Sequence, residues 1–224
     1  TKGHEYNLDR MMSALKDGLS YYTKNYSPYQ FKEVKILEFP YAAFAQSFAN
    51  TIPFSENIGF IARVNDDDPE DIDYPYYVTA HELGHQWWAH QVIGGREQGV
   101  TMLDETMAQY SALMVMKHKF GPDKMKKFLK YEMDMYLRGR SVEREKEEPL
   151  YKNEDQQYIH YRKGSVVMYA LQDYIGEYKL DSALHKYIEK VAFQNPPYTN
   201  PLQFLHYVSA AVPDSMKYII PEMF

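Results

Sequence analysis

The chain has no cysteine. Disulfides and thiolate ligands are therefore excluded, and any zinc site must be built from histidine and carboxylate. The absence assigns no compartment, because a reducing cytosol and a disulfide-free periplasmic domain both tolerate it. Long hydrophobic runs are also missing: no apolar stretch approaches the roughly 20 residues that a membrane-spanning helix needs. Basic charge is scarce, with a net charge of −6 and no stripe of Lys and Arg to neutralise phosphates. Nucleic acid is not an expected partner, and an anionic membrane surface is disfavoured. Nothing at the N-terminus resembles a signal peptide. The chain opens at Thr1-Lys2-Gly3 without an initiator Met and stops at Met223-Phe224, so we read it as a piece of a longer protein.

What is present fits one globular domain spanning residues 1–224. A chain of 224 residues with 45% hydrophobic and 25% charged residues can bury a real core. Leu8, Met11, Met12, Leu15 and Leu19 recur at helical spacing, which predicts a helix over about 6–22. Val34 and Ile36 open a strand that Pro40 ends, and a second strand is expected over about 58–64, with Pro53–Asn57 between them as irregular chain. The acidic run Asp66-Asp67-Asp68-Pro69-Glu70-Asp71 lacks the alternation and the glycine of a calcium loop, so it reads as a solvated loop. Helices follow over about 75–91, 101–119, 123–137, 158–175, 182–193 and 201–211, with 138–148 as a charged linker. The expected class is α+β and mostly helical, with a small β portion at about 31–65 and a helical portion at about 75–224. The 22 tyrosines are expected mainly in the core.

His81-Glu82-Leu83-Gly84-His85 carries the chemistry. Residues four apart on a helix project from one face, so two imidazoles can converge on one metal ion. Glu82 lies one step round the helix, where it can reach a water at the metal's open position. Val78, Leu83, Trp87 and Trp88 predict that this helix is buried, and buried histidines and a glutamate need partners. A third ligand is expected from the next helix. Glu105 is the better candidate because it shares a face with Ala108, Ala112 and Met116. Asp104 is the alternative, turned about 100° away, and Glu97 is less well placed.

The run His81 through Trp88 resembles the H-E-L-A-H-Q-W-F segment of the gluzincin zinc aminopeptidases, the family of membrane alanyl aminopeptidase and leukotriene hydrolase. That resemblance implies a thermolysin-like catalytic domain and one Zn²⁺ ion. Asp104-Glu105-Thr106-Met107-Ala108 looks like the family's N-E-G-F-A segment and supports Glu105 as third ligand, with one residue more between His85 and Glu105 than the family spacing. Pro53-Phe54-Ser55-Glu56-Asn57-Ile58-Gly59 matches the family's G-x-M-E-N-W-G segment at Glu56, Asn57 and Gly59, which implies that Glu56, with Asn57, grips the free α-amine of a peptide. Tyr161-Arg162-Lys163-Gly164 resembles the Y-x-K-G segment whose tyrosine stabilises the tetrahedral intermediate. The similarity looks greatest to a bacterial branch joined to an ABC-transporter permease. It implies a parent with a β-rich N-terminal domain absent from this chain, attached to a membrane with the present domain outside the bilayer.

The expected function is zinc-dependent hydrolysis of peptide bonds, removing N-terminal residues, with Glu82 and Tyr161 catalytic. The alternatives are a zinc endopeptidase that never engages a free amine, and a catalytically silent binding module of a transporter-associated protein. Gln109, one turn after Glu105, reads as a surface amide or as a residue that orients the ligand.

Overall fold

The computed structural model describes residues 3–224, and the bounds of its elements follow from local chemistry. Helix α1 (Leu8–Asn25) buries Met11, Ala14, Leu15, Gly18, Tyr21 and Tyr22. This stripe is rotated from the expected one: Leu8 and Met12 are exposed, because the buried face is set by the tyrosines that pack toward the centre of the molecule. Strands β1 (Lys35–Phe39) and β2 (Thr51–Ser55) pair in parallel, with Leu37 opposite Pro53. So short a link between parallel strands is unusual. The chain solves it by crossing to the far side of β2, where Ala45 and Phe48 pair antiparallel with Phe54 and Thr51. A two-residue hairpin then turns into β2, with Asn50 at φ 53°, a conformation that asparagine tolerates.

Two central helices carry the site. Helix α2 (Tyr74–Gly84) starts at Asp73, whose carboxylate accepts from the Tyr76 N–H at 3.1 Å, and has Pro75 in its first turn. Helix α3 (Met107–Phe120) buries every residue from Met107 to Met116. A helix apolar on all sides belongs in a core. The two approach closely at Gly84, where a Cβ would sit 3.2 Å from the Ala108 Cα. Around them lie α4 (Met125–Val142), α5 (Gly164–Ile175), α6 (Glu177–Val191), α7 (Pro201–Ala211) and the short α8 (Ile219–Met223). The molecule is mostly helical with a small β portion near its N-terminal side, as expected. Tyrosine serves the core: Tyr22 donates to the Ala80 carbonyl at 2.9 Å, and the Tyr26 and Ser111 hydroxyls lie 3.0 Å apart. No helix among the described residues is long and apolar enough to cross a membrane.

Several boundaries differ from expectation. The second strand is Thr51–Ser55, not 58–64; Pro53 masked it, and the Gly59 and Ile61 amides instead close turns onto Ser55 and Glu56. Helix α2 stops at Gly84 and the chain continues to Gln91 as turns, broken where Ala89 takes φ 140°. The expected linker 138–148 is helical as far as Val142, since no residue there interrupts α4. Helix α6 begins at Glu177 rather than near 182, right after Gly176 turns at φ 93°. The acidic loop lies exposed, with Asp66 paired to Arg10.

Candidate active site

His81 and His85, one turn apart on and just beyond α2, bring their Nε2 atoms to 3.1 Å from each other. The Glu105 Oε2 atom lies 3.4 Å from each Nε2. A zinc ion with bonds of about 2.0–2.1 Å in tetrahedral geometry spaces its ligand atoms by roughly 3.3–3.4 Å. The triangle therefore has the size of one face of such a tetrahedron. The His85 Nδ1–H donates to the Trp88 carbonyl at 3.0 Å, which fixes the tautomer and leaves the Nε2 lone pair aimed at the cluster. Glu105 Oε2 is buried without a hydrogen-bond partner in the protein. Buried polar atoms are rarely left so, and a cation at the triangle would satisfy it.

The structure separates Glu105 from Asp104. Residues Met102–Thr106 form a π-helical turn immediately before α3. A π turn takes up one residue more than an α turn. Through this turn Glu105, not Asp104, faces the histidines, with one residue more between it and His85 than the resemblance implies. Asp104 Oδ1 instead accepts from the Glu105 N–H at 2.7 Å. The electrostatics agree. Burial raises Glu105, but its contacts with His81 and His85 outweigh this and hold it well below the usual carboxylate range. Burial and the Glu105 charge push Asp104 up to about 6.

A cavity of about 550 Å³ opens beside the triangle, and His81, Glu82, Gln109, Tyr161 and Arg162 are among the residues lining it. Glu82 is buried, and its Oε2 has no protein partner. Burial raises its pKa, while His81 and His85 pull it down. Tyr161 lies on a second π turn (Tyr158–Lys163), with its ring centroid 6.0 Å from that of His81. Burial and the nearby Glu105 charge keep its phenol protonated. Gly164 makes this placement possible: a Cβ there would lie 2.4 Å from the Thr106 hydroxyl oxygen, so the two π turns touch.

Glu132 did not emerge from the sequence. It sits on the buried stripe Met125, Phe128 and Glu132 of α4, and a carboxylate on an apolar stripe was the available signal. Its carboxylate accepts from the Tyr77 hydroxyl at 2.9 Å, Gln109 Nε2 at 3.1 Å and Arg162 Nη1 at 3.1 Å. Gln109 thus serves Glu132 rather than Glu105. The three donors lie one turn before His81, one turn after Glu105 and next to Tyr161. Burial raises the Glu132 pKa and Arg162 opposes that rise.

Glu56 and Asn57 are not among the residues lining this cavity, although Ile58 is. Glu56 belongs to a second group, with its Oε2 3.5 Å from His4 Nδ1 and with Glu38 beside them. Asn57 is exposed.

Two imidazoles one helical turn apart and a carboxylate leading into the next helix form a triangle that could hold a metal ion, with Glu82 beside it. The model of the Peptidase family M1 domain matches residues 6–220, and the chain belongs to that family. That match makes it a domain of the M1 zinc metallopeptidases. Among solved structures it is similar to an M1 zinc metallopeptidase from Deinococcus radiodurans, with 19% identity and a TM-score of 0.67 over 98% of this chain and 43% of that one. A glutamate-to-alanine variant from the same organism, bound to a Tyr-Ser-Ala substrate, gives 19% and 0.64 over 94% of this chain and 42% of that one. A two-domain M1 variant bound to L-tryptophan gives 19% and 0.65 over 96% and 42%. These likenesses show the fold, and the chain spans 43% of the length of the first of these relatives. A search of the curated proteins finds no match.

Proposed function

We propose that this domain is an aminopeptidase catalytic unit, with His81, His85 and Glu105 as the zinc ligands. The observation that carries the reading is the convergence of three ligand atoms beside a cavity that Glu82 and Tyr161 also line. Zinc, when bound, supplies Lewis acidity to the scissile carbonyl and to the attacking water. Glu82 takes the proton of that water and passes it to the leaving amine, a role suited to a carboxylate whose pKa burial has raised. The Tyr161 hydroxyl, held protonated, donates a hydrogen bond to the developing oxyanion. Glu132 keeps the segments bearing these groups in register through Tyr77, Gln109 and Arg162.

Removal of N-terminal residues rests on the resemblance around Glu56. In this reading the substrate ammonium displaces His4 from the Glu56 carboxylate. The position of Glu56 outside the cavity lining favours a second reading, an endopeptidase indifferent to the free amine. Residues 1–224 act as one catalytic domain of a longer parent, in which further domains close the cleft. The 43% coverage supports such a parent, whereas a permease partner and membrane attachment rest on the resemblance alone. The test compares the full-length parent on one peptide with and without an N-acetyl group. Fast cleavage of the free peptide alone supports the aminopeptidase, and equal rates replace it with the endopeptidase.

A further inference from the structure

The guanidinium of Arg162 is only partly used by the protein. Its Nη1 donates to both Glu132 oxygens, at 3.1 and 3.3 Å, and its Cζ lies over the Tyr131 ring, 5.5 Å from the centroid. No hydrogen bond to its Nη2 or Nε occurs among the described residues, and neither atom is sealed away from solvent. Arg162 is also the one Lys or Arg lining the cavity beside the metal triangle, where the other side chains are aromatic, aliphatic or amide apart from His81 and Glu82. Glu132 is fully buried and takes three further donors, from Tyr77, Gln109 and Ser165. It is therefore a fixed anchor that holds the fork in one orientation and cannot follow a ligand.

A guanidinium clamped on one edge presents its remaining N–H groups in a fixed plane, and the matching acceptor is a carboxylate, which takes two parallel N–H bonds. Gln157, on the same lining, can add an amide donor. We propose that Arg162, oriented by Glu132, is a specificity-determining residue that binds a carboxylate of the peptide substrate. This rests on the peptidase reading of the cleft. The carboxylate comes either from an acidic side chain or from the peptide C-terminus, and both present the same chemistry to the fork.

Equilibrium binding separates these sources and needs no turnover. The probe protein is the zinc-loaded chain with Glu82→Gln, which holds peptides uncleaved. The ligands are tripeptide amides of alanine with one glutamate at the first, second or third position, trialanine with a free C-terminal carboxylate, and trialanine amide as reference. One glutamate position or the free C-terminus is expected to bind about tenfold more tightly than the reference, the scale of one charge-assisted hydrogen bond. Adding Arg162→Met together with Glu132→Gln removes both charges, so that no buried carboxylate is stranded. That protein should lose the tenfold preference, binding the carboxylate peptides no more tightly than it binds trialanine amide. Glu132→Gln alone leaves the cation and one acceptor oxygen for its Nη1, so a weakened preference for the same peptide should remain. The proposal is overturned if no carboxylate peptide binds better than trialanine amide, or if the preference survives the double substitution. Absence of peptide cleavage by the unsubstituted parent would defeat the peptidase reading and leave this binding result standing.

Discussion

Two carboxylate clusters lie behind the wall of one cavity, which Gln109 and Arg162 line on behalf of the first and His81 and Glu82 on behalf of the second, and they are solved in opposite ways. Glu132 is wholly enclosed, and its two oxygens take hydrogen bonds from Tyr77, Gln109, Arg162 and Ser165. Glu82 is buried and Glu105 half-buried, yet each has one buried oxygen with no hydrogen-bond partner in the protein. A buried acceptor without a partner costs about 1–3 kcal/mol, so a fold retains one only where something else satisfies it. The first cluster is completed by the protein, and the second is left open to a ligand from outside it. Burial and charge alone do not distinguish them, whereas the count of donors does.

The largest effect should come from removing the triangle's own atoms. Glu105→Ala, like His81→Ala or His85→Ala, is expected to strip zinc from the purified domain, as read by metal analysis. Asp104→Ala should retain it. Loss of zinc from Asp104→Ala with retention in Glu105→Ala would reverse the ligand assignment. Next, Tyr161→Phe deletes one hydroxyl and little volume. In the active parent kcat is expected to fall by about 10²–10³, the cost of one oxyanion donor, with a much smaller change in KM. A rate within twofold of the parent would assign that work to another group.

Breaking the satisfied cluster should damage the fold rather than the metal site. Arg162→Ala leaves Glu132 buried without its cation. A stability loss of about 3–5 kcal/mol is expected from denaturant unfolding, with zinc still bound under native conditions. An unchanged unfolding midpoint would show that water replaces Arg162 at no cost. The smallest effect concerns another buried carboxylate, one outside the lining of that cavity. Burial pushes Asp181 up to about 7, against the Tyr21 hydroxyl that lowers it, while Glu177 raises it and His118 and Lys117 lower it. Since its folded value lies above the unfolded value near 4, its contribution to stability is fully present below about pH 4. That contribution is lost as pH rises through about 7. Asp181→Asn should therefore raise the melting temperature by a few degrees at pH 8, with the gain shrinking toward pH 4. A gain that grows on acidification would contradict the direction of this shift.

Legibility in the sequence followed the range of the forces involved. The histidine pair was readable because i and i+4 on a helix share a face whatever surrounds them. The choice between Glu105 and Asp104 was only partly readable, since an α-helical register cannot foresee the π turn at Met102–Thr106. Strand β2 was hidden by Pro53, a residue that argues against a strand unless the pairing pattern spares its missing N–H. Glu132 was invisible as a functional neighbour because its donors come from positions 77, 109 and 162, which no local pattern joins. Glu56 matched a motif by its neighbours, but the direction of its side chain depends on His4 and Glu38.

By itself the sequence determined the absence of thiolate chemistry, the mostly helical class and the helix that presents His81, Glu82 and His85. Each of these follows from composition or from spacing within a few residues. Only the tertiary structure decided which acid completes the triangle, how Tyr161 comes beside it, and which buried carboxylate is satisfied and which left open. Those outcomes depend on atoms brought together from distant parts of the chain, where close packing at Gly84 and Gly164 sets the approach and the number of available donors sets the charge balance.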